Sequence, residues 1–467
     1  MKNIVIIVIL ITSGLNSFSQ DSLFQYMELA AKNNPTVLQK FAEYQAALQK
    51  IPQVSSLPDP ELSSGIFLSP MELVAGNQVA DIRLMQMFPW FGVLKNAKDE
   101  MSLMAKAKFE LFRDAKIALL YELQRSWYEL NKIKQSIRVS EQNVALLESI
   151  ERIAVVKIRA PDNGPFSPGV GSSSSQSSEK SISASSAGMN KMGVNPIKTQ
   201  PSASMTANPM TAPSGGSALI EVYQIQIEIG DLKNSIELTK SQLTTALAQF
   251  NSYLNRPQTS VITLPDSIFT IDFEPSSLVL SDTLLNNNPM VEMLQYEGQS
   301  LDARKQMVTK MSYPMVGVGL NYSVINKSEM AGSPMNGKDM VMPMLTVTLP
   351  IYRKKYKAMR TEADFLKSAN LQNYQATVNT LQTEYFQALQ MFQDARRRIK
   401  LYPAQAELAS KSFGITLKSF SSAGSTLTDV LRIRQQYADY QLKEIEAVAD
   451  FNTSVAWLKK LSCVDIQ

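Results

Sequence analysis

Residues 315–324 read MVGVGLNYSV, and this alternation decides the fold. Successive side chains of a strand point to opposite faces. Val316, Val318, Leu320, Tyr322 and Val324 therefore share one face, and Met315, Gly317, Gly319, Asn321 and Ser323 share the other. A run of about ten residues, apolar on one side and small or polar on the other, has the pattern of a strand in a membrane barrel. The pattern returns downstream, where Val341, Leu345, Val347, Leu349 and Ile351 lie opposite Met342, Met344, Thr346 and Thr348. Strands at about 314–324 and 340–351 thus form one hairpin. A second pair, about 60–68 and 79–89, sits earlier in the chain, with Asp81 and Arg83 opposite Ile82 and Leu84. Two hairpins cannot close a barrel, and lipid does not tolerate open edges. Several chains must then pool their strands. Taken singly, each segment also suits ordinary half-buried sheet.

Long helices surround these strands. Between Val93 and Ala160 there is no Pro or Gly, and apolar residues recur at helical spacing: Met101, Met104, Phe112, Ala115, Leu119, Leu123, Trp127, Leu130, Ile137, Val144, Leu147 and Ile150. A helix over 93–160 would be about 100 Å long, more than a compact domain can contain, so it must lie along other helices. A second long helix is expected over 353–420. Its heptad seam runs through Leu371, Tyr374, Val378, Leu381, Tyr385, Ala388 and Phe392, with an interruption expected at Pro403. The two halves are copies. Asn34-Pro35 recurs as Asn288-Pro289, and Pro60 recurs as Pro314 at the same offset. Residues 219–222 align with 427–430 in the returning helices. The repeats span 21–257 and 258–467, each a helix–hairpin–long helix–helix unit, in a chain that is mainly α with a small transmembrane β part.

Composition narrows the function. The net charge of +4 is too weak for a nucleic-acid footprint, so no nucleic-acid partner is expected. The chain has no histidine and one cysteine, Cys463. That removes His-based acid–base catalysis, most zinc sites and internal disulfides. Gly317 and Gly319 sit in an alternating strand without the helix a dinucleotide fingerprint requires. The reading is a non-enzyme without cofactor. Residues 1–20 read as a secretory signal: Lys2, an apolar run from Ile4 to Ile11, then Ser17 and Ser19. No cysteine follows it to take a lipid anchor.

Residues 161–217 form an insert in the first repeat only, rich in Ser, Pro, Gly and Ala, and are expected to be disordered. The tract holds Met189, Met192, Met205 and Met210. Thioether sulfur is a soft ligand that selects Cu(I) and Ag(I); compositional drift in a solvated linker is the competing explanation. Met330, Met335, Met340, Met342 and Met344 cluster around the second hairpin, with Met342 and Met344 on its inner face. They are candidates for metal contact in a lumen, or gap fillers between strands.

These features together resemble the TolC family of outer-membrane efflux channels. The resemblance rests on the repeated Asn-Pro, on the strand endings at residues 87–92 (MFPWFG) and 348–352 (TLPIY), and on residues 420–424 (FSSAG) followed by 427–431 (LTDVL). It implies a homotrimer in the outer membrane of a Gram-negative bacterium. A twelve-stranded barrel would be embedded in lipid and continued by a long α-helical periplasmic barrel. It further implies a periplasmic adaptor protein and an inner-membrane RND-type pump as partners. Gly164 and Gly424 would mark the periplasmic tip, with Glu221 and Asp429 as candidates for a charged constriction; such carboxylates also suit a helix N-terminus. Residues 342–344 (MPM) and 352–355 (YRKK) look most like the Cus-type copper/silver branch. The expected function is a passive exit duct of a pump–adaptor–channel system for Cu(I), Ag(I) or other heavy-metal ions. Multidrug efflux or protein secretion is the alternative cargo. A soluble periplasmic coiled-coil scaffold or metal-binding protein is the alternative of another class.

Overall fold

A computed structural model describes residues 20–159, 215–273, 287–332, 334–422 and 424–463. Among them the order is α1 (Gln20–Asn33), α2 (Pro35–Ser55), β1 (Glu61–Leu73), β2 (Gly76–Phe88), α3 (Val93–Arg159), α4 (Gly215–Tyr253), α5 (Pro289–Met311), β3 (Met315–Asn326), β4 (Met340–Thr348), α6 (Arg353–Ser421) and α7 (Leu427–Ser462). The proposed signal and the 161–217 insert lie almost wholly outside these residues.

The strands form one antiparallel sheet in the order β1-β2-β3-β4. Both hairpins therefore meet at β2 and β3, while β1 and β4 are its two edges. β1 runs on to Leu73, past the expected end near 68, and a register shift between Ile66 and Met71 lets it do so. β4 stops at Thr348 rather than 351. Pro350 carries no N–H to continue the ladder.

The helices make a layer four wide at every level. Next to the sheet, α2 packs on α3, α3 on α5, and α5 on α6. Farther away, α4 packs on α3, α3 on α7, and α7 on α6. The short helices abut end to end. Asn34 at the start of α2 donates from Nδ2 to the Tyr253 carbonyl at the end of α4, at 3.0 Å. Three apolar clusters hold the layer together. One gathers Trp127, Leu123, Phe250 and Leu254. A second, at the end far from the sheet, joins Leu147, Ile150, Ile225, Phe420, Leu427 and Val430 from four helices. The third sets Phe392 of α6 against Phe451 of α7, ring centroids 5.1 Å apart.

Two expectations for α6 need correction. The helix runs through Pro403 unbroken. A proline in a helix interior costs about 3 kcal/mol, and here buried Ala395, Ala406, Ala409 and Phe413 on either side keep the helix on its course. The heptad seam is also not buried throughout. Val378, Ala388 and Phe392 are buried, but Leu371 is 62% exposed. Among the described residues, that part of the seam is left open at Leu371.

Candidate functional site

The sheet has two chemically opposite faces. Direct cross-strand partners share a face, so the register fixes both sets. One face carries the rows Leu62–Leu84–Leu320–Pro343 and Ser64–Ile82–Tyr322–Val341. Its apolar side chains stand in the open: Leu62, Ile66, Leu68, Val318, Leu345 and Val347 are each about half exposed or more, and Leu68 is 99% exposed. The opposite face carries Ser63–Arg83–Asn321–Met342 and Glu61–Met85–Gly319–Met344. Here Asn321 and Ser323 are buried. This is the reverse of a soluble half-buried sheet, in which the aliphatic face is covered and the polar one wet. It suits a wall with hydrocarbon outside and water inside.

Where the sheet passes into helix, aromatic residues collect. Trp90 stacks on Tyr313, with centroids 5.3 Å apart and planes at 16°. Phe91 and Tyr352 stand out at 87% and 77% exposure. Lys310 lies over the Tyr313 ring at 5.9 Å. The amphipathic rings of Trp and Tyr favour the level at which hydrocarbon gives way to headgroups. Gly92, with φ +89°, makes the turn that sends the chain into α3.

The opposite end holds the residues expected at a tip. Gly164 lies outside the described residues, as do Met189, Met192, Met205 and Met210. Gly424 closes the α6–α7 turn: its N–H donates to the Ser419 carbonyl at 2.8 Å, and a Cβ there would lie 2.8 Å from Ser419 Oγ. Asp429 is in the first turn of α7. The Thr426 hydroxyl donates to Asp429 Oδ2 at 2.7 Å, and the Asp429 N–H donates back to Thr426 Oγ1 at 3.3 Å. The hydrogen bond from Thr426 holds this carboxyl below its ordinary range, helped by Arg432. Thr426 thus caps α7, and half-buried Asp429 is held against it. Glu221 is half-buried on α4. Met342 and Met344 lie on the polar face of the sheet, away from this end.

Sequence reasoning missed one pairing here. Arg434 of α7, only 5% exposed, donates from Nη2 to Glu228 Oε1 of α4. Burial works against the guanidinium's charge and the Glu228 carboxylate supports it. It ties the returning helices of the two repeats together across the bundle. Residues on separate helices give no spacing signal by which a sequence reading could pair them.

The edges of the layer are unfinished. α4 and α2 form one edge, and α6 forms the other. On α4, Leu219, Ile220, Tyr223, Ile227 and Leu238 are exposed; on α6, Phe365, Phe386, Leu401, Leu408 and Ile415 are exposed. Leu401, Leu408 and Ile415 repeat every seven residues, the period of a coiled-coil seam. An open groove of about 790 Å³ runs along α6 beside Lys354, Lys357, Phe365 and Leu366. α7, inside the layer, has no large apolar side chain exposed among its described residues. Among the described residues, no helix is long and apolar enough to cross a membrane, and no His, Cys, Asp and Glu cluster could hold a metal.

The fold, long helices beside a four-stranded sheet, is similar to that of solved outer-membrane channels. VceC from Vibrio cholerae superposes with a TM-score of 0.71 at 11% identity, covering 96% of this chain and 97% of that one. CusC, described by its transmembrane channel formation, gives 0.71 at 12% identity over 95% and 92%. The open state of the Neisseria gonorrhoeae outer-membrane channel MtrE gives 0.68 at 12% over 94% and 88%. Comparison with curated protein sequences finds no match. Residues 280–462, most of the second repeat, match the family described as outer membrane efflux protein. Channels of that family are non-enzymatic transport ducts.

Proposed function

We propose that the protein is the outer-membrane exit duct of a pump–adaptor–channel efflux system, assembled as a homotrimer. The observation that carries this is the sheet itself. Its aliphatic face is bare, its polar face is turned the other way, and both its edges are free. A single four-stranded sheet cannot persist in lipid, whereas three would give a closed barrel of twelve strands. The helix layer supports the same closure. Its unlike edges, α4 with α2 on one side and α6 on the other, make a head-to-tail contact, which closes into a ring. At 67 and 69 residues, α3 and α6 would carry the wall about 100 Å into the periplasm.

In this reading the duct spends no fuel. The ends of α3, α4, α6 and α7 far from the sheet, with Gly424 and Asp429, face the adaptor and an RND-type pump. Cu(I) and Ag(I) are the proposed cargo, supported by the methionines of the second hairpin and by a fold shared with CusC among other channels.

Fractionation and planar-bilayer recording test the duct. We expect the protein in the outer membrane and stepwise conductance from the detergent-purified assembly; a chain released by osmotic shock that forms no pores contradicts it. Gene deletion tests the cargo. Increased copper and silver sensitivity is expected, whereas unchanged metal tolerance with increased drug sensitivity would reassign the cargo to organic compounds.

A further inference from the structure

The register of the sheet brings together methionines that lie far apart in sequence. Met85 and Met87 of β2 face Gly319 and Gly317 of β3, and Met344 of β4 faces Gly319 from the other side. All are on the polar face. The row Met85–Gly319–Met344 therefore has a thioether on each flank of a residue with no side chain. Neighbouring strands are about 4.8 Å apart, so the two methionine backbones stand about 10 Å from each other with the space between them left to their sulfurs.

Both β2 thioethers lean into that space. Met87 Sδ occupies the place a Cβ on Gly317 would need, and Met85 Sδ lies 3.3 Å from the same point. Met85 Sδ is also 3.2 Å from where a Gly319 Cβ would sit. The two sulfurs thus bracket the glycine strand from one side, with Met344 on the other. Met85, Met87 and Met344 are all half-buried, held by the sheet yet open to the space above it. One step along the face, Asn321 is only 9% exposed, opposite Met342, and its Oδ1 has no hydrogen-bond partner.

We infer that Met85, Met87 and Met344 form a thioether site for a soft monovalent cation, Cu(I) or Ag(I), on the lumen wall of the barrel. This rests on the duct reading above, because only a closed barrel makes the polar face a lumen. Thioethers are neutral, soft donors that favour such ions over Mg²⁺, Ca²⁺ or Zn²⁺. Neutral ligands also leave the ion's charge uncompensated. That suits a site an ion must leave as readily as it enters, since conduction requires binding weak enough for release. Gly317 and Gly319 provide room for the Met85 and Met87 sulfurs to lie over β3, with Met344 next in the row across Gly319.

The test uses the full-length assembly purified in detergent, with its K⁺ conductance in planar bilayers recorded first. Ag(I) alone is then titrated against a competing chelator. The variant Met85→Leu/Met87→Leu/Met344→Leu keeps side-chain size and removes sulfur. We expect it to conduct K⁺ like the parent, to bind one fewer Ag(I) per chain, and to leave Zn²⁺ binding unmoved. Met344→Leu alone, the milder change, should weaken that equivalent without abolishing it. A conducting triple variant that binds Ag(I) with unchanged number and affinity overturns the site while leaving the duct standing. A parent that never conducts overturns the duct, and the site with it.

Discussion

Asn34 and Asn288 cap their helices with the same pair of hydrogen bonds. Asn34 Oδ1 accepts from the N–H groups of Thr36 and Val37 at 3.0 and 3.4 Å, and Asn288 Oδ1 accepts from those of Met290 and Val291 at 3.0 and 3.4 Å. In each case a proline fills the first helical position, where a missing N–H costs nothing. The duplication is therefore written into local chemistry as well as into element order. Replacing either Asn by Ala should cost about 1 kcal/mol. Asn34→Ala should cost more than Asn288→Ala, because Asn34 also donates to the Tyr253 carbonyl and joins α4 to α2. Thermal unfolding in detergent checks the order; equal losses would show that the end-to-end bond adds nothing.

The Arg434–Glu228 pair should be worth more broken than replaced. Glu228→Leu leaves a buried guanidinium unpaired, at a cost of about 3–5 kcal/mol, whereas Glu228→Leu with Arg434→Met should be close to neutral. Hydrogen exchange over 222–236 and 427–440 reads the effect locally. A double variant as loose as the single one would show that packing, not the stranded charge, is responsible.

Arg113 holds two carboxylates at once, Glu110 at 2.6 Å on α3 and Glu292 at 3.2 Å on α5. Burial pushes the Glu110 carboxyl above its usual range, with Arg113 opposing. A carboxyl raised in the folded state destabilises when ionised, so its penalty is absent at low pH and grows as pH rises through the folded value. Arg113→Ala removes the opposing charge and should raise Glu110 further. The variant should lose about 1–3 kcal/mol at pH 8 and less at pH 5. A loss that is flat with pH would contradict this assignment.

Cys463 closes α7 in a left-handed conformation, and burial pushes its thiol up to about 11. Thiolate is the reactive form. Alkylation by iodoacetamide at pH 8 should be slower than that of an exposed cysteine by a factor on the order of a few hundred. Its rate should still be rising at pH 10. Labelling as fast as a free thiol would show that the end of α7 opens.

Much of this architecture is legible in the chain. Val316 to Val324 alternates so cleanly because successive residues of that strand fall on the apolar and the polar face in turn. The two Asn-Pro caps are legible because a cap is a local contract among four residues. Pro403 misleads for the opposite reason: it argues locally for a break, and packing against α7 overrides it. Leu371 fits the heptad, but its exposure is not legible, because a seven-residue period marks a face without saying what covers it. Met85 and Met87 sit unremarked between Leu84 and Phe88 until the register sets them over Gly317 and Gly319. Arg434 and Glu228 meet only through the bundle.

Closure by unlike edges is the claim on which the rest depends, and cysteine cross-linking between β1 and β4 tests it most directly. Single cysteines stepped along Glu61–Ile66 would be paired with others along Met340–Thr348, in a Cys463→Ser background and in outer membranes rather than extracts. Oxidation should give a ladder of one, two and three chains that ends at three, at pairs of matching register. Products that stop at two chains, or form only within one chain, would contradict the account.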